Sequence, residues 1–337
     1  MNTDFYAGQL RQEITTRNRQ FAQSLLHIES AGGDPVVVYA PETGEGGRIR
    51  HGNFFDAAYQ AILIRPEWAK RLNKIHAQGR GLPRLRDDPG YKWKELDSSM
   101  SSDALLMNVF CAPGVAETKA VRRMLGVDSD ELPGFGWKAR VPLKSGLLDR
   151  TEVDMRLGHL LVEAKLTELD FQTRVAAIVE SYRDFDAVFD RDLLPRVELR
   201  EARRKDAVEL PEDFTQEWEP LGAEPEILVN SIAKAHQAEI AERAWQAVPA
   251  KAGYASYQLI RNVLAAYALG CSFCVMYDER RPDLREAWFA VLAAVKSAEV
   301  RTRLKALTWQ ELATALPGEL QEFLDLKYGI VASRRLS

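Results

Sequence analysis

Asp154, Glu163 and Lys165 are two carboxylates and an ammonium that a pair of short strands can gather at one place. The stretch holding them, residues 150–166, reads RTEVDMRLGHLLVEAKL. Polar and apolar residues alternate on either side of Leu157-Gly158, and glycine supplies the backbone angles of a tight turn. With that turn, Arg156 faces His159, Met155 faces Leu160 and Asp154 faces Leu161. Side chains alternate across a strand. One face therefore carries Val153, Met155, Leu160, Val162, Ala164 and Leu166, and must meet the core. The other carries Glu152, Asp154, Leu161, Glu163 and Lys165. A slip of one residue would invert both faces, so the pattern specifies the register.

Asp154 is then the diagonal neighbour of Glu163, a relation that brings side chains within about 7–8 Å. Two carboxylates so placed can share a hard divalent cation. Mg²⁺ takes oxygen ligands and keeps several waters, so Asp154, Glu163 and the Ala164 carbonyl suffice as protein ligands. Lys165, on the same face, can position and help deprotonate an attacking water, or stabilise charge in the transition state. Read alone, the same pattern also suits a solvated face of mixed charge.

The elements around the hairpin are those of a mixed α/β protein. Helical patterns cover 4–30, 54–78 (bent at Pro66), 99–111 and a short segment within 113–136, with a candidate strand at 36–40 followed by a Gly-rich loop. Residues 79–93 read as a loop. From Trp137, WKARVPLK, RTEVDMR and HLLVEAKL predict three antiparallel strands. Residues 170–205 read as helical, 206–232 as an acidic excursion and 233–248 as helical. An apolar helix at 256–269, a buried strand at 271–277 and two closing helices at 283–306 and 308–326 complete the chain. Thr308 and Glu311 form a capping box for the last helix. The order predicts a mixed sheet covered by helices. It divides into a helical N-terminal region (1–92), a core (93–282) with a helical insertion at about 167–250, and C-terminal helices (283–337) packed on the core.

A net charge of −4 over 337 residues argues against a generally basic nucleic-acid coat protein. It leaves room for a nuclease, which needs positive charge only along one groove. Basic clusters occur at Arg80, Arg84, Arg86, Lys92 and Lys94, at Arg196, Arg200, Arg203, Arg204 and Lys205, and at Arg280, Arg281 and Arg285. Each also reads as a solvated face. No apolar run is long enough to span a bilayer, and no leader pattern opens the chain. Three cysteines fit a reducing cytoplasm.

The hairpin resembles the PD-(D/E)xK, or restriction-endonuclease-like, superfamily. Its signature is an Asp on one strand, then Glu or Asp, any residue and Lys on the next; here Val153 stands where the name has Pro. The resemblance implies a restriction-endonuclease-like core. It also implies a catalytic Gln on the helix after the hairpin, for which YQLIRN offers Gln258, with Arg261 and Asn262 on the same helical face. Arg261 and Asn262 then belong to substrate binding, with Arg261 reaching a phosphate; the same polar stripe also reads as a satisfied network in the core. A Glu near the first core helix is carried over as Glu95, and Asn108 lies on that helix; the serines at 98, 99, 101 and 102 read as caps. ELDSS, EAKLTE, YQLIRN, RRPDL and FLDLKYG further resemble a group of bacterial restriction-endonuclease-like proteins, over 93–330.

The function implied is a metal-dependent endonuclease hydrolysing DNA with Mg²⁺, for which Mn²⁺ can substitute, in restriction or defence. Relatives often act as homodimers, each subunit cutting one strand. The alternatives are a catalytically silent nucleic-acid-binding protein on the same fold, or a nuclease acting on RNA or branched DNA. Cys271 and Cys274 form a C-x-x-C without a second pair or nearby histidines, and read as core residues on opposite faces of a strand. Neither GxGxxG nor GxxxxGK[ST] occurs. Trp68, Trp93 and Trp137 read as packing residues.

Overall fold

The hairpin forms, with a shifted turn. Strand β2 (Glu152–Leu157) pairs antiparallel with β3 (Leu160–Ala164), and Leu157 lies opposite Leu160, Arg156 opposite Leu161 and Met155 opposite Val162. The turn is therefore Gly158-His159, with Gly158 at φ +56° as its first residue, and the expected Leu157-Gly158 pairing is off by two. Leu157 stays in the strand because it is buried there with Leu160. A shift of two keeps every side chain on its face. Continued by one step, the ladder sets Asp154 directly across from Glu163 rather than diagonal to it. Val153 departs from its row and packs with Ala139, Val141 and Leu161.

The structure is a computed structural model that describes residues 3–29, 36–75, 93–128, 130–199, 218–220 and 252–332. β1 (Gly134–Lys138) extends the hairpin on the β2 side. On the other side, β4 (Ser272–Tyr277) runs parallel to β3, and β5 (Leu304–Thr308) runs parallel to β4. The result is a mixed five-stranded sheet of order β5-β4-β3-β2-β1. A parallel neighbour demands a crossover, and helix α4 (Tyr257–Leu269), just before β4, packs on the sheet.

Both faces of the sheet are covered. On one, Met155, Leu157, Leu160, Val162, Cys274 and Met276 meet α1 (Thr3–Phe21), α2 (Asp56–Leu63), α3 (Ser102–Phe110) and α6 (Gly318–Tyr328). On the other, Leu161, Phe273 and Val275 meet α4, α5 (Pro282–Ala293) and the segment 171–194. Leu161 on the carboxylate-bearing face joins this second core and Glu163 is buried beside it, while Asp154 is half-buried and the Glu152 side chain stays partly exposed. Cys271 and Cys274 fall in opposite cores, as their spacing predicts.

Several elements differ from their sequence patterns. The helix expected at 283–306 ends at Ala293, and LKALT at 304–308 is a strand, because a parallel partner in β4 outweighs a helical reading of so short a run. Residues 170–199 are not one helix but two four-residue helices, Ala176–Val179 and Phe185–Val188, with strand pieces at Arg174–Val175 and Arg196–Glu198. The N-terminal region adds two small strand pairs, His27–Glu29 with Val37–Tyr39 and Pro41–Thr43 with Ile49–His51, the second enclosing the Gly-rich loop. The expected loop at 79–92, its arginines, and the helix at 233–248 lie outside the described residues. So does the 206–232 excursion, except for Trp218–Pro220, which pairs with Leu147–Asp149. Among the described residues no helix is long and apolar enough to cross a membrane.

α1 and α6 are joined by Lys327, which is wholly buried. Its ammonium donates to Asn18 Oδ1 and sits 4.1 Å from the Tyr39 ring centre. Burial pushes its pKa well below the usual lysine value. The unfolded chain holds this proton up to about pH 10.5 while the folded one releases it earlier, so stability rises with pH between those two values. Lys327→Met is expected to raise the melting temperature, since an unneeded buried cation is removed. Thermal melts across pH should show that advantage shrinking as pH climbs toward about 10; an advantage independent of pH would contradict this account.

Candidate active site

Asp154, Glu163 and Lys165 line one cavity of about 430 Å³ at the end of the sheet. The N-terminal turns of α3 and α4 and the ends of β1 to β3 form its walls. Lys165 donates to Glu163 Oε1 at 2.8 Å. Asn262 donates from Nδ2 to Glu163 Oε2 at 2.7 Å. The Ala164 amide donates to Asp154 Oδ2 at 2.7 Å, so this peptide edge of β3 faces Asp154. An amide and a carbonyl of one residue project from the same edge of a strand, which turns the Ala164 carbonyl the same way.

The electrostatics follow from burial. Asp154 is held well above the usual carboxylate range, first by desolvation and then by the negative charges of Glu163 and Asp103. Burial disfavours the Lys165 ammonium, but Glu163, Glu168 and Asp154 together outweigh it and raise its pKa. Lys165 therefore keeps its proton at neutral pH. Its Nζ lies 5.7 Å from the Phe171 ring centre, and Trp309 Nε1 holds its carbonyl at 3.0 Å.

The other expected residues divide. Gln258 lines the cavity, and its Oε1 is buried with no hydrogen-bond partner among the described residues. Glu95 lines it from the short 3₁₀ turn Glu95–Asp97, paired with Lys74 at 2.9 Å, and its pKa is raised by burial and by Asp103. Arg261 also borders the cavity, with Nη2 donating to the Glu152 carbonyl at 2.7 Å and to Asn262 Oδ1 at 2.8 Å. Asn262, expected on the substrate-binding face, is fully buried and outside the cavity lining, and its Nδ2 donates to Glu163. Asn108 is remote from the cavity and ties the loop before α2, accepting from the Phe55 amide at 2.6 Å. Ser101 caps α3 by accepting from Ala104, as its position predicts.

Sequence reasoning passed over several residues that line the cavity. Asp103 occupies the first turn of α3, and Glu168 lies in EAKLTE, three residues beyond Lys165. Glu168 accepts from Ser102 Oγ and, at 2.7 Å, from the Leu166 amide. The helix start and the quoted motif were available signals for these two. Arg71, Lys74, Lys138 and Arg174 supply positive charge from other segments and Arg150 from the start of the hairpin stretch, and no local pattern marks them. The basic cluster at Arg280 and Arg281 turns inward instead: Arg280 pairs with Asp278 and Glu13, and Arg281 is wholly buried.

Among the described residues no group of three or more His, Cys, Asp or Glu side chains stands ready to hold a metal ion. Asp154 and Glu163 share the cavity, and with the Ala164 carbonyl they would offer only hard oxygens. They suit a cation that keeps most of its own waters.

A mixed five-stranded sheet flanked on both faces by helices, with this cavity at its end, is a restriction-endonuclease-like architecture. A family model described as "Restriction Endonuclease associating with ARP" matches residues 17–329, and the chain belongs to that family. No curated protein and no solved structure matches it.

Proposed function

We propose that the chain is a Mg²⁺-dependent phosphodiesterase of the PD-(D/E)xK type that hydrolyses DNA. The observation that carries this reading is one cavity lined by Asp154, Glu163 and Lys165, in which Lys165 and Asn262 hold the two oxygens of Glu163. Family membership supports a nuclease, and DNA as its substrate. The family's description also names association with ARP, so a second component acting with this chain belongs to the same proposal.

Asp154, Glu163 and the Ala164 carbonyl would hold the cation. When bound, it would supply Lewis acidity toward the phosphate and a lowered pKa for water. Lys165, protonated, does not act as the base; its ammonium stabilises charge on the phosphate oxygens as attack proceeds. Gln258 offers Oε1 as an acceptor that orients the attacking water. Asn262 fixes the rotamer of Glu163. Lys138, Arg150 and Arg174 line the cavity where they can meet flanking phosphates.

Purified protein incubated with plasmid, single-stranded DNA, branched DNA and RNA, with Mg²⁺ or Mn²⁺, tests this. Cutting that EDTA abolishes and that Lys165→Ala loses is the expected result. Folded, metal-binding protein that cuts no nucleic acid would overturn it in favour of a silent binding module. Cutting confined to RNA or branched DNA would keep the chemistry and replace the substrate.

A further inference from the structure

Arg71 lies in the 3₁₀ turn Lys70–Asn73, far in sequence from the hairpin, yet it lines the same cavity as Asp154. Its side chain is 12% exposed. Nη2 donates to Asp103 Oδ2, and Nη1 donates to Glu152 Oε2 at 3.0 Å. Both carboxylates line the cavity that holds Asp154 and Glu163. The guanidinium rests on Gly136: a Cβ there would fall 2.2 Å from Arg71 Nη1, and Gly136 has φ +60°. In the β1–β2 ladder, Gly136 is bracketed by the pairs Phe135–Met155 and Trp137–Val153, which places it beside Asp154. Neighbouring strands are about 4.8 Å apart. A positive charge therefore stands on the β1 side of β2, in the same cavity as Asp154, whose carboxylate turns to the β3 side to accept from the Ala164 amide.

Carboxylate and phosphate offer the planar guanidinium the same two-oxygen match. Arg71 can therefore exchange one for the other with little movement. A divalent cation beside Asp154 competes with Arg71 for the charge of Asp103, and a phosphodiester brought to that cation arrives within reach of the released guanidinium. We propose that Arg71 is a placeholder cation: it bridges Asp103 and Glu152 in the metal-free protein and passes to a phosphodiester oxygen of the substrate when a divalent cation enters at Asp154. The proposal rests on the nuclease reading above.

Two binding measurements on the full chain test it without depending on turnover: Mn²⁺ affinity by electron paramagnetic resonance, and affinity for short duplex DNA with Ca²⁺. Arg71→Ala is expected to bind Mn²⁺ at least as tightly as the parent while its affinity for DNA falls about 10- to 100-fold, the range of charge-assisted hydrogen bonds. Arg71→Lys, which keeps the charge and loses the paired donors, should keep Mn²⁺ binding and lose roughly 10-fold in DNA affinity. The Lys variant also serves if the Ala variant does not fold. Mn²⁺ affinity that falls together with DNA affinity would overturn the proposal, because Arg71 would then only hold the carboxylates in place. Parental DNA affinity in the variants that fold would overturn it as well. Asp154→Asn separates the two levels: parental Mn²⁺ binding in that variant would remove the metal site, and with it the nuclease reading, whatever Arg71 does.

Discussion

Lys165→Ala is expected to lower the single-turnover rate of DNA cleavage by about 100- to 1,000-fold, the effect of removing one preorganised electrostatic group from a dry site. Lys165 is 5% exposed, and its ammonium is bonded to Glu163, which with Glu168 and Asp154 keeps it charged. Its removal takes positive charge from beside the phosphate and leaves Glu163 Oε1 without its donor. Divalent-cation binding should survive, because the oxygens of Asp154 and Glu163 remain and lose a competing positive charge. Loss of cleavage with retained Mn²⁺ binding is therefore the diagnostic pattern. Lys165→Arg should recover only part of the rate, since the larger guanidinium does not fit a site closed by Phe171. A rate equal to that of the parent in Lys165→Ala would place the chemistry elsewhere.

The largest expected effect on stability is at Arg281. This guanidinium is wholly buried, pairs with Asp283 through Nε at 2.9 Å and Nη2 at 2.7 Å, and donates to the carbonyls of Leu166, Glu168 and Leu169. It ties the start of α5 to the loop that follows Lys165. Arg281→Ala leaves Asp283 buried without its cation and three carbonyls without a donor. A loss of about 3–5 kcal/mol is expected, and with it a fall in melting temperature of roughly 10 °C. Arg281→Lys should not restore stability, because a single ammonium cannot reach a carboxylate and three carbonyls at once. Melting curves of the three proteins decide the matter; a shift of less than about 1 kcal/mol for Arg281→Ala would show that the loop holds itself.

The two-faced character of the hairpin was legible because a strand's period of two leaves few alternatives once Met155, Val162 and Ala164 must be buried. The exact pairing was not. Leu157-Gly158 and Gly158-His159 are both acceptable turns locally, and burial of Leu157 against Leu160 chooses between them. Helical spacing put Gln258, Arg261 and Asn262 on one face, and all three do approach the hairpin. Their division of labour depends on depth: Gln258 reaches the cavity, while Asn262 stops behind Glu163. LKALT read as the end of a helix because a short apolar run has no period of its own; its strand state comes from pairing with β4.

By itself the sequence determined which residues form the hairpin, which of its faces is apolar, and where the helix carrying Gln258 begins. These are properties of local periodicity and of turn and cap chemistry, and they act over a few residues. Only the tertiary structure decided that Leu161 packs under α4, that Asp103 joins the cavity from α3, and that Arg71 crosses from residue 71 to bond Asp103 and Glu152. Those contacts join segments far apart in the chain, and a contact of that kind is set by how helices pack on a sheet rather than by any spacing within one segment.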